Sequence, residues 1–478
     1  MKRRTLLAGA AAAPVAAAPI VKVLAAEPVK ITWWHAMSGA LGDQVARITK
    51  QFNAAHKDIV LTSVFKGSYP DTLNASIAAW RAGKAPNVTQ VFDVGTGTML
   101  AAGPAVKQIW QLAKETGADI KPATYIPAVR GYYSLPDGRL ASMPFNSSTA
   151  VMWYNKDAFK MAGLDPEKPP QTWPEVLQAA RVLKAKWADP LNAQTNAQTK
   201  ATTKGTAASA AKPNAASKGG LIRYAVTTSW LTWIQFEEFS AIHNIPFASE
   251  DDGFKGLGAV LQCNSPAHVA QLQRFMDMEK EGTFKYGGRD SAPDPMFYTG
   301  VVAIGFGSSA GRGDIVRNAK FDFGEALMPW DPAVSKEPHN TFIGGASLWA
   351  MTSPHRTAAE YKAAAAFFQF LALPEQDAMW AQNSGYVPVT LAGDALSRKQ
   401  GYYEKNPGTD VPIKSLLRSP VTPYTRGMRL GRLPEIRNIL YEECELAFAG
   451  KQTAKQALDK TVTRGNVVLR SFQKSVGG

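Results

Sequence analysis

The sequence predicts an α/β protein in two lobes, and three observations lead there. Its 478 residues exceed what one ordinary core organises, at about 150 residues per domain. A composition of 45% hydrophobic, 10% aromatic and 19% charged residues leaves ample apolar surface to bury. The third observation is an alternation of strand-like and helix-like periodicity that begins at Val29.

Val29 to Trp34 alternates apolar and polar residues as a strand does, Leu41 to Ala55 repeats apolar positions at helical spacing, and Ile59 to Phe65 reads as a second strand. A helix from Leu73 to Ala82 and a strand from Val88 to Asp93 extend this β-α-β opening into a three-layer unit. Loops at its strand ends are where ligands bind in open α/β sheets.

The stretch from Met143 to Glu175 carries the most local information. Pro144 and Asn146-Ser147-Ser148-Thr149 form a break rich in small polar side chains, and Ala150 to Tyr154 then reads as a short, largely apolar strand. Asn155 and Lys156 lead into a helix that stops near Gly163, and Pro169-Pro170 blocks any continuation. Thr172 and Glu175 make a T-x-x-E capping box, so a new helix starts at Trp173. Downstream, Ser265-Pro266 opens a helix running to Glu281, Val301 to Phe306 and Phe342 to Met351 read as strands, and helices begin at Pro434 and Thr453.

Lys2-Arg3-Arg4, an apolar run from Leu6 to Ala18 and small residues at Val23 and Ala25 have the three-part layout of a cleaved secretory signal over residues 1–26, with the mature chain beginning near Ala26. Arg3-Arg4 before Thr5-Leu6-Leu7 fits a twin-arginine route as well as the general one. No later stretch reaches the roughly 18 apolar residues needed to span a bilayer, so the expected location is the periplasm. Residues 188–220, rich in Ala, Thr, Asn, Gln and Lys, hold too little apolar surface to order themselves and read as a low-complexity insertion. The formal charge is +14, and removing the four cations Lys2, Arg3, Arg4 and Lys22 leaves +10, which suits an anionic ligand. Nucleic acid is not expected as a partner, since no basic stripe interleaved with aromatics occurs. Cys263 and Cys444 lie far apart in helix-flanking contexts, which argues against a structural disulfide.

The strand at Ala150, YNKDAF, PPQTW, Pro374-Glu375-Gln376 and Gly385-Tyr386-Val387-Pro388-Val389 together resemble the extracytoplasmic solute-binding proteins that feed ABC importers. FNSSTA, SWLTWIQFEEFSA, IGGASLW, GYYEKNPG and LGRLPEIR are similar to the glycerol-3-phosphate-binding branch of that family, over about Ile31 to Phe472. The resemblance implies a two-lobed α/β fold with hinge-crossing strands and a ligand cleft between the lobes. It places lobe 1 at 27–147 with 298–346 and lobe 2 at 148–297 with 347–475. It further implies a monomeric receptor, without cofactor or metal, that binds a glycerophosphoryl compound and delivers it to a membrane permease and its ATPase.

Carried over residue by residue, the resemblance puts Tyr69, Asp93, Ser148, Trp230, Trp233, Ser308, Gly345, Tyr386 and Arg437 at ligand-contacting places. Arg437 is the expected anion anchor, because a guanidinium offers permanently charged, bidentate hydrogen bonds to phosphate. Its replacement by Ala is expected to weaken binding and leave folding intact. Gly345 would present a backbone N–H without a side chain in the way, and Ser148, Ser308, Tyr69 and Tyr386 would add neutral donors. Asp93 would accept from glycerol hydroxyls; some members place Glu there, and the shorter carboxylate suggests room for a diester such as glycerophosphocholine. Trp230 and Trp233, three apart, would line one face from a shared side of a helix.

Two rival readings remain in the sequence. Gly307-Ser308-Ser309-Ala310-Gly311 matches G-x-S-x-G after an apolar strand, which would make Ser309 the nucleophile of a periplasmic esterase. No HGGG-like segment precedes it, and the only later histidines, His339 and His355, follow too soon for the usual order. The generic motifs also fit a receptor for neutral oligosaccharides.

Overall fold

The alternation at the start of the chain becomes parallel pairing. In the computed structural model, which describes residues 27–188 and 222–476, β1 (Val29–His35) and β2 (Ile59–Phe65) run parallel with Val29 opposite Ile59 and His35 opposite Phe65. The helix between them, Gly39–Ala55, turns Val45, Ile48 and Phe52 onto the sheet. The next helix starts at Tyr69, earlier than Leu73, because Ser68 and Asp71 form a capping box and Pro70 tolerates the first turn. β3 (Val88–Phe92) is fully buried, and β4 (Val106–Lys107) is short. β5 (Met143–Ser148) pairs with β10 (Gly344–Met351), giving a six-stranded sheet in the order β2-β1-β3-β10-β4 with β5 on β10. A second sheet has the order β7-β8-β6-β9, from β6 (Ala150–Asn155), β7 (Tyr224–Thr228), β8 (Val302–Ser308) and β9 (Phe323–Ala326).

Thr149 alone separates β5 in one sheet from β6 in the other. Its N–H donates to Ser309 Oγ (3.3 Å), its carbonyl accepts from Ser309 N (2.9 Å), and its hydroxyl lies 2.7 Å from Thr341 Oγ1 and 2.8 Å from Phe342 O. Three chain crossings thus meet at one buried threonine, which is how a hinge is built from short connections. The Thr172/Glu175 box also forms, with Glu175 Oε2 accepting from Thr172 N at 3.0 Å, and the helix begins at Trp173.

The lobe boundaries differ from those expected. β8 and β9, expected in lobe 1, are strands of the second sheet, since both pair with β6. Residues 347–351 lie within β10 of the first sheet. The helix Ala358–Leu371 is expected in lobe 2, yet its Phe367 ring packs 5.2 Å from Trp33 of β1, and Ala363, Phe368, Trp380, Val389 and Ile413 share the core of Ile31, Ile48 and Val88. The apolar face of an Ala/Phe-rich helix goes to whichever surface it covers, and here that surface is the first sheet. Beyond Ile413 the chain returns to lobe 2, where Arg429 N donates to Asp252 O at 2.9 Å and the final helices, Leu433–Phe448 and Ala454–Val476, pack on Pro266–Glu281. The expected signal segment, 1–26, and the low-complexity insertion, apart from Ala188, fall outside the described residues.

Candidate functional site

Asp93 follows β3 directly and opens a 3-10 turn, the position at a strand's C-terminal end where α/β sheets present polar groups. Arg437 projects from the helix Leu433–Phe448, which packs against that turn from the other lobe. Its guanidinium lies 3.8 Å from Asp93 Oδ2. It also makes a two-point ion pair with Glu237, Nε to Oε1 and Nη2 to Oε2, both 2.7 Å. Arg437 is 9% exposed and Glu237 is fully buried, so the arginine is no surface residue. Burial alone would lower the Arg437 pKa, but Glu237 and Asp93 outweigh it and hold the group above its ordinary value. Burial raises Asp93 to about 7, with Arg437 opposing and Glu237 adding to the shift. Glu237 escapes sequence reasoning because an acid in a helix reads as a solvated face; the signal available was its place among Trp233, Ile234, Phe236, Phe239 and Ile242, a segment rich in large apolar residues.

Beside this charged group stands an uncharged chain. Ala36 N donates to Gln90 Oε1 (2.8 Å), Gln90 Nε2 to Asn146 Oδ1 (2.8 Å), and Asn146 Nδ2 to Tyr69 Oη (2.9 Å). Tyr69 Oη lies 3.3 Å from Tyr386 Oη. Either hydroxyl can donate across that gap; in the arrangement that continues the Asn146 bond, the Tyr69 hydrogen is directed at Tyr386, whose own O–H then ends the chain. Ring stacking holds both phenols, Tyr69 on Phe92 at 5.5 Å and Tyr386 on Trp380 at 5.7 Å. Tyr386 is further placed by Val387 N, which donates to Ser147 O at 2.8 Å.

Gly345 sits opposite Ser147 with φ +96°, and a Cβ there would fall 1.9 Å from Asn146 O, so only glycine fits. Its neighbour Gly344 pairs with Ser148 and lies under the Trp233 indole, which a Cβ would meet at 2.5 Å. The two tryptophans do not share a helix face: Trp230 precedes the helix in left-handed conformation, φ +47°, and Trp233 opens a π-helical turn. Ser308 ends β8, where its Oγ accepts from Ala310 N at 3.2 Å and it lines a small cavity with Trp153, Ser229 and Asp294. The structure thus gathers Tyr69, Asp93, Trp233, Gly345, Tyr386 and Arg437, and adds Asn146, Gln90 and Glu237. Ser309 is fully buried at the hinge, its Oγ accepting from Thr149 N.

A family model described as bacterial extracellular solute-binding protein matches residues 47–406. The sn-glycerol-3-phosphate-binding periplasmic protein UgpB of Pectobacterium atrosepticum is 42% identical over 474 residues, 99% of this chain and 98% of its own. Among solved structures, UgpB from Mycobacterium tuberculosis in complex with glycerophosphocholine superposes with a TM-score of 0.71 at 20% identity, covering 92% of this chain and 98% of that one. Maltose-bound MalE3 of T. maritima gives 0.69 at 15%, covering 92% and 100%. At those identities the structural likeness establishes the two-lobed fold. The match to more than half the sequence, together with the full-length relative, shows that the chain belongs to the bacterial extracellular solute-binding protein family.

Proposed function

We propose that the chain is the periplasmic receptor of an ABC importer and captures sn-glycerol 3-phosphate or a glycerophosphodiester such as glycerophosphocholine between its lobes. The observation that carries this reading is Arg437, a guanidinium buried between lobes and 3.8 Å from Asp93, whose charge acts in turn on Tyr69 and Tyr386. Glu237 occupies its Nε–Nη2 edge, which leaves three of five N–H groups, chiefly on Nη1, for phosphoryl oxygens. The anchor is therefore a guanidinium already steered by a carboxylate. With Asp93 protonated the trio is formally neutral and adds an O–H donor; with Asp93 ionised it carries −1 and repels the ligand. The Tyr386 hydroxyl and the backbone beside Gly345 supply neutral donors, and the Trp233 ring an apolar wall. Groups from both lobes touch the ligand, so binding favours the closed form, which the permease and its ATPase would recognise. Ser309 has no catalytic role in this reading. The export route through residues 1–26 belongs to the same proposal; no helix among the described residues is long and apolar enough to cross a membrane.

Calorimetric titration with glycerol 3-phosphate, glycerophosphocholine and maltose tests it. Saturable binding of a glycerophosphoryl ligand with no heat from maltose is the expected result; binding of maltose alone overturns the assignment.

A further inference from the structure

We propose that the chain carries a second anion site, apart from the Arg437 cleft, in a basic cavity that spans both lobes and takes a multiply charged oxyanion of the phosphate or phosphate-ester class. The cavity has a volume of about 550 Å³, within the range of small-molecule sites. Its first-lobe wall holds Arg130 and Ser134; its second-lobe wall holds Asp251, Phe254, Lys255, Arg426 and Arg429. Four cations thus face one carboxylate. Asp251 is shared between Lys255 Nζ and Arg426 Nη2, each at 3.1 Å, and no carboxylate lies within ion-pair distance of Arg130 or Arg429 among the described residues.

Two of the four cations are held in place. Both Arg426 and Arg429 stack on the Phe254 ring, each Cζ 4.2 Å from its centroid, and Arg429 Nη2 crosses between lobes to donate to Ser134 O (3.0 Å) and to Tyr132 O. Two buried donors, Arg426 Nε and Arg429 Nε, and the hydroxyl of Ser134 have no hydrogen-bond partner. Burial pulls Arg429 down to about 10, with Tyr132 opposing the shift and the neighbouring Arg426 adding to it. The loop carrying the second wall is strained: Glu250, Asp251 and Asp252 all adopt φ between +51° and +56°, held by Asp252 Oδ1, which accepts from Phe247 N and Ala248 N.

Tyr132 stands between this cavity and the cleft, its Oη 2.9 Å from Asp93 O and 2.8 Å from Met428 O. An anion touching Arg130 on one lobe and Arg426 on the other draws the lobes together, and linkage then requires it to raise affinity in the cleft by the same factor. The inference does not depend on which ligand the cleft takes.

The test is calorimetric titration of the full chain with inorganic pyrophosphate, ionic strength being kept constant with NaCl. Saturable binding is expected, weakened about tenfold or more in Lys255→Gln and in Arg426→Gln and unchanged in the cleft variant Tyr386→Phe. Lys255 is exposed, so its variant tests the site even if Arg426→Gln folds poorly. Absence of saturable heat, equal affinity in wild type and Lys255→Gln, or loss in Tyr386→Phe alone would overturn the proposal. Failure of the cleft assignment would appear only with the glycerol compounds and maltose.

Discussion

On one side of the cleft Gln90, Asn146, Tyr69 and Tyr386 pass hydrogen bonds along an uncharged chain rooted in the first lobe; on the other, Arg437 and Glu237 of the second lobe meet Asp93 of the first. The uncharged side is oriented by the fold in either protonation state of its surroundings. The charged side depends on mutual compensation, because each buried ion is tolerable only while its partner remains. Losses on the two sides should therefore differ in kind as well as in size.

The largest effect is expected from Arg437→Ala. A fully buried Glu237 would lose both of its 2.7 Å bonds, so the variant should lose about 3–5 kcal/mol of stability in denaturant titration as well as its ligand affinity. The structure thereby corrects the expectation that folding would be left intact. A variant with wild-type stability would show that Glu237 finds another partner or a proton, and the contrast between the two sides would weaken. Glycine at 345 sets the next largest effect, on the uncharged side. Gly345→Ala puts a methyl 1.9 Å from Asn146 O at φ +96°, and should cost about 1–3 kcal/mol of stability by shifting the strand that carries Asn146.

The pH response should separate the sides further. Asp93 and Asp294 are raised to about 7, and Asp252 and Glu325 to about 8, in each case chiefly by burial. Between an unfolded carboxyl near 3.8 to 4.5 and these values the native state holds more protons than the unfolded one, so stability falls as pH rises. His35 and His243, lowered to about 4, and His268, lowered to about 3, give the opposite slope, but only below about 6.5. From pH 6.5 to 8 the carboxyls set the slope, with the buried thiols of Cys263 and Cys444, both raised by burial, adding to it at higher pH, and thermal denaturation should show a declining melting temperature. Asp93→Asn should make that decline shallower, Asp252, Asp294 and Glu325 keeping the rest of it, and Tyr386→Phe should leave it unchanged; an equal decline in both variants would remove Asp93 from the account.

Much of this architecture was legible because the signals were local. The capping box at Thr172, the helix from Ser265-Pro266, the strand at Ala150 and the paired opening strands each rest on a few adjacent residues and formed as expected. Partition of elements between lobes was not legible. The Ala/Phe face of Ala358–Leu371 names no sheet in its local pattern, and the structure seats it on the first, with Phe367 against Trp33. In the site, resemblance supplied Asp93 and Arg437 but not Glu237, whose role follows from two segments some two hundred positions apart meeting in space. Trp230 and Trp233 look alike at helical spacing, and a backbone turn at Trp230 with φ +47° separates them.

The smallest effect tests the direction of the uncharged chain. Tyr386→Phe removes only the terminal hydroxyl, leaving the ring stacked on Trp380 and the Tyr69 oxygen still accepting from Asn146. About 0.5–1.5 kcal/mol of ligand affinity should go, with almost no change in stability. Tyr69→Phe, by contrast, strands the Asn146 amide without its acceptor and deprives Tyr386 of its donor, so it should reduce both stability and affinity by more. Measured in one calorimetric and one denaturant series, that order follows only if the hydrogens run from Ala36 toward Tyr386. If Tyr386→Phe proves the more damaging to stability, the chain runs the other way, and the donor offered to a ligand must come from the charged side.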